Sequence, residues 1–200
     1  MGASYDFVDA YQGVNLFSFN LSKGFNIFDA TETGSEKLTR STGHSDFTKL
    51  TGGALRLQQL APSWMLLGEL SWQYSFEKLL ASEEFGVGGA QFGRAYDSSE
   101  ITGDSGLAFK LELQRAFKPK KKYFRDMQAY TFLDYGKVWN RFETTTGSRS
   151  DDLYSLGLGI RFNITDLISG YVEWDKPLDQ EVSSEGNTDG RAFFSLSVRF

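Results

Sequence analysis

The chain has no cysteine, so neither a disulfide framework nor a thiolate metal site is available to it. Its one histidine, His44, sits among Gly43, Ser45 and Asp46 with no second ligand nearby, and it reads as an ordinary loop residue. No apolar run approaches the roughly 18 residues that a transmembrane helix needs. The first residues, Met1-Gly2-Ala3-Ser4-Tyr5-Asp6, lack the basic and apolar regions of a secretory signal. These absences exclude helical spans but leave strands open, because a barrel strand crosses a bilayer with roughly ten residues whose side chains alternate between lipid and lumen. The formal charge is −5 with Lys and Arg scattered along the chain, which leaves no basic stripe for nucleic acid. No Ser/His/Asp grouping, phosphate loop or metal-ligand cluster is recognisable, and the paired carboxylates Glu83-Glu84 and Asp151-Asp152 fall in loops. The expectation is a protein that is not an enzyme and carries no cofactor or metal.

What is abundant points to strands. Aromatic residues make up 16% of the chain and glycine contributes 21 residues, against three prolines, a mixture that favours β-structure. Period-2 alternation recurs from end to end. Leu107, Phe109, Leu111 and Leu113 oppose Ala108, Lys110, Glu112 and Gln114; Leu156, Leu158, Ile160 and Phe162 oppose Gly157, Gly159, Arg161 and Asn163. Phe194, Leu196, Val198 and Phe200 oppose Ser195, Ser197 and Arg199. Similar patterns run through Leu66, Gly68, Leu70 and Trp72, and through Ile168, Val172 and Trp174. Segments 14–25, 47–59 and 127–138 complete a set of about eight strands, and residues 5–8 read as the tail of a preceding one.

The connections alternate between long and short. Residues 27–45, 76–105, 140–151 and 176–190 are long, while the links through Pro62, through 118–126 and through 163–166 are shorter. Outer-membrane barrels sort their loops this way, with long ones outside and short turns in the periplasm. Trp64, Trp72, Trp139 and Trp174 then suit interfacial girdles; the competing reading is a soluble barrel core, which would invert the polar and apolar faces. The run Lys118-Pro119-Lys120-Lys121-Lys122 reads as a solvated periplasmic turn.

Three sequence features belong together. The longest loop carries Glu84-Phe85-Gly86-Val87-Gly88-Gly89-Ala90-Gln91-Phe92-Gly93-Arg94-Ala95-Tyr96, followed by Gly103-Asp104-Ser105-Gly106. The fifth strand carries Phe132-Leu133-Asp134-Tyr135-Gly136, and the chain closes on Ser197-Val198-Arg199-Phe200. An arginine inside a lumen needs a carboxylate to receive it. Asp134 shares parity with Phe132 and Gly136, so all three share a face; Glu112 on the neighbouring strand is a second acceptor, and Gly136 leaves room for incoming backbone. The bland alternative makes Arg94 a solvated loop residue and Asp134 an unrelated charge.

Together these residues resemble the pore proteins of two-partner secretion, the haemolysin secretion/activation family of the outer-membrane insertase and translocase superfamily. The resemblance implies an all-β antiparallel transmembrane barrel in the bacterial outer membrane, with a long inward-folding loop between the third and fourth predicted strands. It implies that Gly88, Gly89, Arg94, Ala95 and Tyr96 form a plug or gate in the lumen, received by Phe132, Asp134, Gly136 and Glu112 on the wall. Phe200 would be the signal read by the barrel-assembly machinery, and the partners would be a secreted exoprotein and the lipid bilayer. The family has a glycine after the arginine where this chain has Ala95; if that position needs a positive φ, alanine strains the tip by roughly 1 kcal/mol.

The resemblance spans only the C-terminal half of a barrel of roughly sixteen strands, as one domain over residues 1–200 without periplasmic peptide-binding domains. A closed barrel of about eight strands has no room for the loop. Either the loop stays outside, or two copies pair into a wide barrel, or another chain supplies the missing half. The leading function is export through a pore; the alternative is a short, non-secreting barrel with a structural or assembly role that oligomerises to complete itself.

Overall fold

The computed structural model describes residues 1–27, 40, 43–119, 124–141 and 150–200. Among the described residues eleven strands run in chain order: β1 (Gly2–Val8), β2 (Val14–Lys23), β3 (Thr48–Ala61), β4 (Trp64–Ser75), β5 (Phe85–Val87), β6 (Ile101–Gly103), β7 (Ser105–Phe117), β8 (Asp126–Trp139), β9 (Ser150–Asn163), β10 (Ile168–Pro177) and β11 (Arg191–Val198). Nine form one sheet in the order β1-β2-β3-β4-β7-β8-β9-β10-β11, and each pair is antiparallel. The two short strands β5 and β6 form a separate ribbon inside the connection between β4 and β7.

The sheet has nine strands where alternation predicted about eight. The difference is β1, which pairs with β2 from Gly2↔Asn20 to Val8↔Val14 and is a full member rather than a tail. The last strand begins at Arg191 and ends at Val198, so Phe200 lies beyond it and is fully exposed. The sheet is open: β1 and β11 are its two edges.

Directly opposed residues of an antiparallel pair share a face, so the registers run side chains across the sheet in rows. One row is Glu69, Lys110, Asp134 and Ser155; the next is Leu67, Glu112, Phe132, Gly157, Asp175 and Arg191. The row between them on the opposite face is Gly68, Leu111, Leu133 and Leu156. The first face is covered by the long connection between β4 and β7. The second carries large apolar side chains open to the surroundings, including Leu158 at 56%, Leu196 at 61% and Phe194 at 83% exposure. An apolar expanse of this extent is out of place in water and suits lipid. No helix among the described residues is long and apolar enough to cross a membrane.

The buried core lies between the connection and the sheet rather than between two sheets. Val87, Phe92, Ala95, Tyr96 and Ile101 from the connection meet Ala108 of β7, Val138 of β8, Leu153 of β9 and Val182 of the β10–β11 loop. The connection is therefore packed on the polar face of the open sheet. Residues 120–123, which include most of the lysine run, and residues 142–149 lie outside the described residues.

Candidate functional site: the arginine loop and its seat

The ribbon β5–β6 carries the loop tip, residues 88–100, onto the sheet. Three glycines make that tip possible: Gly88, Gly89 and Gly93 have φ of +120°, +89° and +78°, a region that L side chains rarely adopt. Gly88 and Gly89 donate to the carbonyls of Phe92 and Gly93 at 2.9 and 3.3 Å, and Tyr96 N donates to Gly93 O at 2.9 Å. The turn that aims the arginine is thus made at Gly93, one residue before it. Ala95 is not among the described residues with positive φ and is fully buried. The strain expected there is absent, because the left-handed residue precedes Arg94 instead of following it.

Arg94 is buried, and its guanidinium is shared. Nε and Nη2 donate to the two oxygens of Asp134 at 3.0 and 3.1 Å, and Nη1 donates to Glu112 at 2.7 Å. Asp134 Oδ2 also accepts the backbone amides of Gly93 and Arg94, both at 3.1 Å. One fully buried carboxylate therefore satisfies two backbone donors and both prongs of a guanidinium, the strong bidentate geometry of such pairs. The guanidinium carbon lies 3.3 Å from the centroid of the Phe132 ring, which adds a cation–π contact in a desolvated setting. Gly136 is two residues along the same face, and a Cβ there would come 2.2 Å from Val87 Cγ1, so the absence of a side chain admits the ribbon.

Glu112 is the hub of a wider set. It accepts Arg161 Nη1 at 2.7 Å and Gln114 Nε2 at 2.8 Å in addition to Arg94. Arg161 stacks 3.7 Å from the Tyr130 centroid, and Tyr130 donates to Glu173 at 2.6 Å. Periodicity put Arg161 and Glu173 on the polar face of their strands but gave no sign that they approach the loop. That depends on two successive registers bringing β9 and β10 alongside β8.

Tyr96 anchors the far side of the tip. Its hydroxyl donates to Asp179 at 2.8 Å and lies 3.1 Å from Tyr154 O, and burial together with the Asp179 carboxylate pushes its pKa up to about 12. It stays a neutral donor. Arg191 reaches from β11 to Ala95 O at 3.1 Å and to Asp97 at 3.0 Å.

A second cluster holds the base of the loop. Asp104, fully buried, accepts Arg40 Nη1 at 2.5 Å, Leu79 N at 2.8 Å and Arg141 N at 2.9 Å. Arg40 also meets Glu84 at 2.6 Å. Three of the long connections are joined through this one carboxylate. His44 meets this region through backbone: it bridges to Leu79 and donates its N–H to Lys78 O at 3.0 Å, while its Nδ1 stands 3.7 Å from Asp46. Among the described residues no group of three or more His, Cys, Asp or Glu is placed to hold a metal.

Comparison with known proteins gives three findings. No curated protein sequence matches the chain. Among solved structures, "CdiB from Escherichia coli" superposes with a TM-score of 0.75 at 18% identity, over 96% of this chain and 34% of that one. At that identity the likeness is one of fold, and the chain spans about a third of the length of that protein. The family model described as "Haemolysin secretion/activation protein ShlB/FhaC/HecB" matches residues 2–162. An apolar outer face, a polar inner face under a docked loop and this match agree: the chain belongs to the haemolysin secretion/activation family, whose members are outer-membrane β-barrel proteins of Gram-negative bacteria.

Proposed function

We propose that this chain forms part of the wall of an outer-membrane pore of the two-partner-secretion type, through which an extended exoprotein leaves the cell. The loop bearing Arg94 plugs or gates the lumen, and Asp134 and Glu112 hold it there. The observation that carries this reading is the position of Arg94, buried between Asp134 and Glu112 and over Phe132 on the polar face of the sheet. Such a contact is stable while docked and is broken as a unit, which is what a gate requires.

The partners follow from the same reading. Lipid covers Leu158, Val172, Phe194 and Leu196, and the exoprotein passes the polar face. Nucleic acid and cofactors have no place in it. The open edges β1 and β11 leave backbone donors and acceptors unpaired, at several kcal/mol each in lipid, so the sheet is completed by further strands of the same protein or by a second copy.

The test is made in the full-length protein. Arg94→Ala and Asp134→Ala should each raise resting conductance and lower export, and the double variant should do little more than either single one. Wild-type conductance and export in both single variants would overturn the reading.

A further inference from the structure

Apart from the Arg94 seat, three buried side-chain oxygens among the described residues have no hydrogen-bond partner, and they lie together: Ser155 Oγ and both carboxylate oxygens of Asp175. Asp175 is opposite Gly157 across β9 and β10, and Ser155 is two residues from Gly157 on the same strand. The two side chains are therefore diagonal neighbours on one face, and both are fully buried. Gly157 leaves a notch at this point, since a Cβ there would lie 2.4 Å from Asp175 Oδ1 and 2.5 Å from the Phe132 ring. Asp175 also lines a cavity of about 250 Å³ between the loop tip and strands β10 and β11, together with Glu173, Arg94 and Arg191.

Charge does not balance at this place. Arg94 is divided between Asp134 and Glu112 and stands 3.6 Å from Glu173. Arg161 is committed to Glu112. Arg191 is directly opposite Asp175 in register, yet its guanidinium turns to Ala95 O, Asp97 and Glu185. Asp175 is left with no cation of its own, and the group it meets is the like-charged Glu173 carboxyl, an arrangement that buried carboxylates resist unless a proton or a cation joins them.

We propose that Asp175, with Glu173 two residues away on the same face and Ser155 beside it, holds a small monovalent cation, Na⁺ or K⁺, in the wall behind the loop. The donors are hard oxygens, which suit alkali and alkaline-earth ions rather than transition metals. The Arg94 and Arg191 guanidiniums line the same cavity and repel a doubly charged ion twice as strongly, which favours a monovalent one. The cavity has room for the water that completes the shell. Bound there, the ion neutralises Asp175 one row from the Arg94 contact, so docking of the loop depends on which salt is present.

The full-length protein in detergent tests this. Its thermal midpoint is measured in NaCl, KCl and choline chloride at equal ionic strength and fixed pH. Binding predicts a saturable rise of about 2–4 °C in the alkali salt over choline. Asp175→Asn should abolish that difference, and Ser155→Ala, a milder change that keeps both carboxylates, should raise the half-saturating concentration several-fold. Equal midpoints in the three salts, or a difference that survives Asp175→Asn, would overturn the proposal. So would a midpoint that responds to acidification alone, since Asp175 and Glu173 would then share a proton rather than a metal ion. The readout is independent of export, so its failure leaves the pore reading untouched.

Discussion

Replacing Asp134 by alanine removes four contacts at once: the amides of Gly93 and Arg94 at 3.1 Å, and Arg94 Nε and Nη2 at 3.0 and 3.1 Å. The arginine keeps Glu112, but Glu112 is already shared with Arg161 and Gln114. Breaking a buried pair by removing one partner costs about 3–5 kcal/mol, and the two orphaned amides raise rather than lower that figure. Since about 1.4 kcal/mol is a factor of ten, the undocked state of the loop should gain roughly 100- to 3000-fold in population. The chain has no cysteine, so Ala95→Cys introduces a single thiol at a fully buried position of the tip. Its rate of modification by a maleimide reports undocking, and Asp134→Ala should accelerate it by at least about 100-fold. An acceleration below about threefold would refute the claim that Asp134 holds the loop. Arg94→Ala should act less severely, because Glu112 retains Arg161 and Asp134 retains its two amides.

Other outcomes follow from individual positions. Gly93→Ala puts a Cβ at φ +78° and 2.8 Å from Leu153 Cδ1, so it should destabilise the docked tip by about 1–2 kcal/mol, read as faster labelling of Ala95→Cys. Asp104→Ala removes the acceptor of Arg40, Leu79 N and Arg141 N, and hydrogen exchange at those two amides should quicken by at least about tenfold. The Asp9 carboxyl accepts Arg56 Nη1 at 2.5 Å and the amides of Gly13 and Tyr11, and these bonds, that of Arg56 first, lower its pKa from 3.8 to about 2. A depressed carboxylate stabilises the β1–β2 turn above pH 3.8 and loses that contribution as pH falls through about 2; an NMR titration midpoint near 3.8 would contradict the contact.

Much of the fold is written in alternation, because lipid on one face and water on the other impose the same period on each strand. Leu107 to Gln114 and Leu156 to Asn163 show it without interruption. β1 was harder to read: seven residues with exposed Tyr5 and Phe7 give little pattern, and only their register with β2 makes them a strand. Within the site, parity alone puts Asp134, Phe132 and Gly136 on the face where Arg94 arrives. Arg161, Glu173 and Asp175 could not be assigned to it from sequence, since their nearness to the loop comes from how β9 and β10 pair with β8. The misplaced strain at Ala95 has a similar cause: the motif shows which residue types surround the arginine, but not which backbone amide Asp134 receives. That is decided by Gly93, whose own N–H points at the carboxylate.

The docking of the loop in the lumen, and its opening during export, can be tested by one crosslink. Cysteines at Val87 and Gly136 occupy positions where a Cβ on Gly136 would lie 2.9 Å from Val87 Cβ, close enough for a disulfide after a small backbone adjustment. In the full-length protein the pair should oxidise readily, should block export while oxidised, and should release it on reduction. Failure to form the bond, or export that continues through the crosslinked protein, would contradict the account.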